Sequence, residues 1–152
     1  MAQWYQRVVS DLSLIPNFIS YYEKELEAAR IETSIKGSIE KNLSMLPGIT
    51  EERFNQLQEV EAVLNFLNIN LRKIRNKHYR KYLETYAKAL SGRDAEKYAD
   101  AEDEVIAYTH LINEVALLRN KWMGVIKGLE SKNFMLGHIT KLRTAGLEDA
   151  SI

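Results

Sequence analysis

The sequence predicts an all-α fold, an elongated helical bundle with two long helices and shorter terminal helices, expected to oligomerise. Three observations predict it. Leu57, Val60, Leu64, Leu67, Leu71 and Ile74 recur three and four positions apart, the spacing of one helical face. Tyr98, Ala101, Val105, Tyr108, Ile112, Val115, Trp122, Ile126 and Leu129 form a second stripe with seven-residue spacing, widened by Leu111, Leu118 and Val125 and interrupted only by Arg119. No stretch alternates apolar and polar residues as a half-buried strand does. With 152 residues, 45% of them apolar, the chain can bury one core and reads as a single domain over 1–147.

The elements follow in order. Trp4, Tyr5, Val8, Val9 and Leu12 give a short amphipathic segment over 3–13, interrupted by Pro16. Phe18, Ile19, Tyr22 and Leu26, then Ile31, Ile35, Ile39 and Leu43, predict a helix from Pro16 to Met45. Its constant steps of four make the stripe wrap, or the helix bend or break, near Arg30. Leu46-Pro47-Gly48 reads as a loop and closes an N-terminal helical part over 1–50. Thr50 reads as a cap, with Glu51 and Glu52 on the positive helix end and Ile49 and Phe54 as a hydrophobic staple. The long helix this opens spans 51–90 and stops at Ser91-Gly92. Asp94 or Asp100 opens the next, running to Leu129, and 132–144 forms a last short helix. Together they make a C-terminal oligomerisation region over 94–147, followed by a flexible tail over 148–152.

Charge is balanced at 21 basic and 21 acidic residues, but it is unevenly spread. Residues 51–90 hold eight Lys or Arg against five acids, and residues 91–130 hold five against eight. Arg72, Lys73, Arg75, Lys77, Arg80 and Lys81 fall within ten residues, with Tyr79, Tyr82 and Tyr86 among or just after them. On a helical wheel all but Arg75 share the half opposite the apolar stripe. Cations tracking phosphates beside stackable rings are the surface that binds single-stranded nucleic acid. The same pattern also suits a solvated face or an acidic protein partner, and the tyrosines also suit a core edge. The acidic run Asp100, Glu102, Asp103 and Glu104 reads as a helix-start feature, with a partner or subunit contact as the alternative.

Several chemistries have no support. Without cysteine there is no disulfide or thiol catalysis, and the composition fits a cytoplasmic protein. No signal peptide or membrane span is expected. His78, His110 and His138 share no metal-ligand spacing, and no GxGxxG or Walker loop occurs. No catalytic residue, metal or cofactor is therefore assigned, and the chain reads as no enzyme. A small metal-dependent enzyme is the weakest alternative.

Arg80-Lys81-Tyr82-Leu83-Glu84-Thr85-Tyr86 with Ser91-Gly92, the block from Asp100-Ala101-Glu102-Asp103, Trp122-Met123-Gly124-Val125-Ile126-Lys127, and Ser131 to Ile139 with Leu142-Arg143-Thr144-Ala145-Gly146 resemble, in this order, the elements of phage recombination mediators. The resemblance covers residues 65–147. The longer charged or proline-containing insert of some relatives is missing after the tyrosine-glycine element. It implies a protein of DNA recombination, repair and replication that binds single-stranded DNA and helps load a recombinase onto DNA coated by single-strand-binding protein. It also implies homo-oligomeric rings of about six or seven subunits, in the host cytoplasm if phage-encoded. DNA contacts would map to Lys77, Arg80 and Lys81, joined by Arg72, Lys73, Arg75, Tyr79 and Tyr82 from the wheel. Oligomer contacts would map to the face around Trp122, Ile126, Phe134 and Ile139, joined by Tyr108, Ile112 and Val115 from the seven-residue stripe. The alternative is a non-enzymatic helical protein–protein adaptor, a structural or host-inhibitory phage protein.

Overall fold

The computed structural model describes residues 3–85 and 89–146. Among these, five α-helices and one 3-10 turn occur and no strand: α1 (Gln3–Ser10), the turn Leu12–Leu14, α2 (Ile15–Glu32), α3 (Ile39–Glu84), α4 (Gly92–Asp100) and α5 (Asp103–Thr144). The all-α architecture with two long helices is as the sequence predicts, but several boundaries move.

The largest change is at Pro47-Gly48, which lies inside α3 rather than in a loop. Its cause is the stripe beneath it. Asn42, Leu46, Ile49, Arg53, Leu57, Val60, Leu64 and Leu67 step by three and four through the proline, and all are buried except half-buried Ile49. A proline inside a helix costs about 3 kcal/mol, whereas burying one large aliphatic side chain returns about 1.5–3 kcal/mol. Pro47 and the Leu43 carbonyl it leaves without an N–H partner are on the exposed side, where water can serve that oxygen. Thr50 is thus no cap, Ile49 and Phe54 form no staple, and the division at residue 50 falls within one helix. The start is at Ser38, whose hydroxyl accepts the Lys41 amide at 3.2 Å.

The expected Pro16–Met45 helix breaks after Glu32. The link turns at Gly37, whose φ of +84° is natural only to glycine, and the Asn42 amide binds the carbonyls of Lys36 and Ser38 at 2.8 and 2.7 Å. Ser91-Gly92 begins a helix instead of ending one. Ser91 Oγ accepts the Asp94 amide at 3.2 Å and donates to its carboxylate at 2.8 Å, which makes it the cap of α4. After the turn at Ala101, α5 runs unbroken to Thr144, so no separate helix exists over 132–144. The expected 3–13 segment ends at Ser10, where Asp11 caps the 3-10 turn. The proposed tail at 148–152 lies outside the described residues.

Helices α2, α3 and α5 enclose the core, with Val8 of α1 added at one end. Trp122 and Phe18 are its largest fully buried side chains, and Trp122 meets Tyr22 edge-on at 5.8 Å between centroids. The order of contacts fixes directions. Tyr22 of α2 meets Glu59 of α3 and Trp122 of α5, while Glu32, one end of α2, meets Arg53 and Lys132. Helix α2 is therefore antiparallel to α3 and parallel to α5. It begins at Ile15 and leaves the last third of α3 to α4 and the start of α5.

Candidate nucleic-acid interface

Beyond Leu67 the only buried residue of α3 is His78. Leu71, Ile74, Arg75, Tyr79 and Tyr82 are half-buried on the same side, facing α4 and the α5 start, whereas Arg72, Lys73, Asn76, Lys77, Arg80 and Lys81 are exposed on the other. One helix thus carries a packed inner side and a solvent-facing basic side.

The two sides have different electrostatics. Arg75 directs Nε and Nη2 to one carboxylate oxygen of Asp100, each at 2.8 Å. His78 Nε2 lies 2.8 Å from Glu104, and its Nδ1 lies 3.8 Å from Glu102. The Tyr82 hydroxyl donates to Glu102 at 2.5 Å, and its ring stacks on Tyr98 at 5.3 Å. Lys81 Nζ approaches Glu102 at 3.8 Å. The Tyr82 hydroxyl, with His78 and Lys81 adding attraction, holds the Glu102 carboxyl below its usual range. Asp100, Glu102 and Glu104 of the acidic run therefore face the packed side of α3 as its counter-charge, while Asp103 lies in the first turn of α5 and Glu102 stands at the α5 N-cap position without capping it.

Arg72, Lys73, Lys77 and Arg80 make no ion pair among the described residues. Of the eight expected DNA contacts, these four stay open to a polyanion and Lys81 is shared with Glu102. Arg75 is committed to α4. Tyr82 is held between Tyr98 and Glu102, which corrects its expected place as an open stacking platform. Tyr79 is half-buried with its hydroxyl beside Gly92, where an added Cβ would lie 3.3 Å away. Tyr86 lies outside the described residues. His78 faces the acids of α5, away from the basic side.

The expected oligomer contacts divide in the same way. Val115 and Trp122 are completely buried and Ile112 and Ile126 nearly so, all within the subunit core. They are corrected from interface to core, because α2 and α3 already cover them. Tyr108 and Ile139 are half-buried. Phe134 is 68% exposed, edge-on to His138.

Two features were not expected. Arg53, on the buried stripe, binds Glu32 through Nε at 2.9 Å and Nη2 at 2.7 Å, and binds Glu25 and Gln56 through Nη1 at 2.8 Å each. Lys132 donates to the Glu32 carbonyl at 2.8 Å, a cation at the negative end of α2. The second is an apolar groove of about 490 Å³ between α3 and α5, lined by Leu43, Pro47, Phe54, Ile126 and Leu129 with Glu51 and Glu130 among its walls.

Among the described residues no three His, Asp or Glu side chains converge as metal ligands, and no helix is long and apolar enough to cross a membrane. No family model matches the chain, and neither a curated protein nor a solved structure matches it.

Proposed function

We propose that the chain binds single-stranded DNA along the exposed side of α3 and acts as a recombination mediator. The observation that carries this reading is the segregation of Arg72, Lys73, Lys77 and Arg80, exposed and without ion pairs, on a helix whose opposite side is held by α4 and α5. From Arg72 to Lys81 the helix advances roughly 14 Å, about four phosphates of a stacked strand at ~3.4 Å each. These contacts position a strand without reading its sequence. One subunit offers a short track, and an assembly of copies would lengthen it and multiply affinity. The recombinase and the single-strand-binding protein enter this proposal through the resemblance to phage mediators, as does the ring.

The test is fluorescence anisotropy with a labelled single strand and the matching duplex at several salt concentrations. The expected result is preference for the single strand with a log–log salt slope of about −3, as for four neutralised phosphates. Charge reversal at Lys73, Lys77 and Arg80 should abolish it. No binding by the folded protein would overturn the reading. The groove between α3 and α5 favours a second reading, a helical adaptor, which absence of DNA binding would promote.

A further inference from the structure

Independently of strand binding, we propose that the groove between α3 and α5 seats an amphipathic helix of a partner protein, with large apolar anchors and a cation on each flank. Its position follows from the helix period. Arg53 on α3 and Lys132 on α5 turn toward α2, where both bind Glu32. Pro47, Glu51, Glu130 and Asn133 lie on the other side of the α3–α5 seam. Helices α2, α3 and α5 thus take three places of a bundle, and the groove is the fourth. From Leu43 to Phe54 it extends about 16 Å, roughly three turns of a docked helix. Such a helix presents anchors at i, i+4 and i+7.

The walls select the occupant. Leu43 and Phe54 stay exposed beside buried Ile126 and Leu129, so covering them adds apolar burial. No lysine or arginine lines the groove, and each wall carries one carboxylate. Glu51 of α3 accepts the Asn55 amide at 3.1 Å, and neither it nor Glu130 of α5 is ion-paired among the described residues. The polar remainder, Thr50 and Asn133, is neutral. Pro47 adds an acceptor, because it has no N–H to give the Leu43 carbonyl. An apolar strip between two carboxylates complements a helix with Lys or Arg on both flanks and repels an acidic one. Among the described residues, neither exposed basic stretch of this chain has that pattern. The basic side of α3 shows no exposed apolar residue from Arg72 to Lys81. At the end of α5, Met135 and Leu142 are exposed, but Ile139 between them is half-buried in its own subunit. The occupant is therefore a different chain.

The experiment titrates the whole protein into a labelled synthetic helix of about 12 residues, with leucines at i, i+4 and i+7 and lysines on both flanks. A peptide with glutamates in place of the lysines is the comparison. Anisotropy gives the affinities, and amide shifts of isotope-labelled protein give the location. The lysine peptide should bind at least about tenfold tighter than the glutamate peptide, with shifts concentrated over 43–54 and 126–133. Glu51→Lys combined with Glu130→Lys should remove that preference. Glu114→Lys, exposed on another side of α5, should leave it intact, and thermal melts establish that the variants are folded. Equal affinity for the two peptides, shifts elsewhere, or no binding overturns the proposal. Sedimentation velocity tests the rival occupant, a second copy. Assemblies of the protein alone that Phe54→Ser dissociates would place that copy in the groove and overturn the proposal as well. None of these outcomes bears on strand binding at the far end of α3.

Discussion

Arg75 and Asp100, 25 residues apart in sequence, form a two-pronged contact in which Nε and Nη2 share one oxygen. The pair fastens α4 to α3 and neutralises one of the six clustered cations. Exposed pairs of this kind are worth about 0.2–1 kcal/mol, so its main effect is on where positive charge is presented. Arg75→Gln should lower thermal stability slightly and leave the salt slope of strand binding unchanged. Lys77→Gln should leave stability unchanged and make the slope shallower by about 0.7. Anisotropy titrations at four salt concentrations measure both, and equal slopes in the two variants would contradict the division into inner and outer cations.

Arg53 is buried, while Glu25 and Glu32 keep about a third of their side-chain surface in water. Arg53→Met removes the charge and keeps the apolar stem. The carboxylates can then rehydrate, so the loss should be about 2–3 kcal/mol, below the 3–5 kcal/mol of a fully enclosed broken pair. Urea denaturation followed by circular dichroism gives the value. A loss under 0.5 kcal/mol would mean that the network contributes little to docking α2.

Acid should weaken the same junction. Hydrogen bonds from Gln56 and from Arg53 outweigh burial and hold the Glu25 carboxyl below its ordinary value of 4.5. A carboxyl depressed in the folded state contributes stability that is complete above its unfolded value and is lost as pH falls through the folded one. The Tm should therefore decline as pH drops below about 4.5, and Glu25→Gln should decline less steeply over that interval. Parallel acid limbs would exclude Glu25 as a source of the dependence.

Trp122 and Phe134 lie on one helix and should behave oppositely. Trp122→Ala should cost about 3–5 kcal/mol by opening a cavity against Tyr22. Phe134→Ser should leave stability within about 0.5 kcal/mol and reduce any self-association seen by sedimentation velocity. Unchanged sedimentation with a self-associating parent would place the contact elsewhere.

Two glycines of α5 make a paired test. At Gly124 a Cβ would meet nothing within 4 Å, whereas at Gly128 it would come within 3.0 Å of Thr33 Cγ2. Gly124→Ala should raise stability by about 0.4–1 kcal/mol. Gly128→Ala should gain less or lose, because α5 lies directly against the end of α2 there. A larger gain at Gly128 would show that Thr33 yields freely.

The helical class was legible because the core uses unbroken three-and-four spacing, and the basic side was legible because cations separate on a wheel without knowledge of the fold. Boundaries were harder. Pro47-Gly48 carries strong local loop chemistry, and its helical state depends on Leu46 and Ile49 meeting other helices. Ser91-Gly92 suits either end of a helix, and only the Asp94 contact decides between them. The pairing of Arg75 with Asp100 and of Tyr82 with Glu102 depends on α4 folding back, which no local pattern encodes. Arg53 and Lys132 did leave a signal. Each occupies a core register position, between Ile49 and Leu57 and between Leu129 and Leu136, where a charge needs a partner.

The passage of α3 through Pro47 has a mechanical consequence. The groove near residues 43–54 and the basic side at 72–81 share one continuous rod, and their centres are about 40 Å apart along its axis at 1.5 Å per residue. With no described joint between them, an occupant of one end stands at a set distance from an occupant of the other. The helix is a ruler as well as a binding surface, and inserting or deleting a turn between Asn65 and Asn70 would change its length.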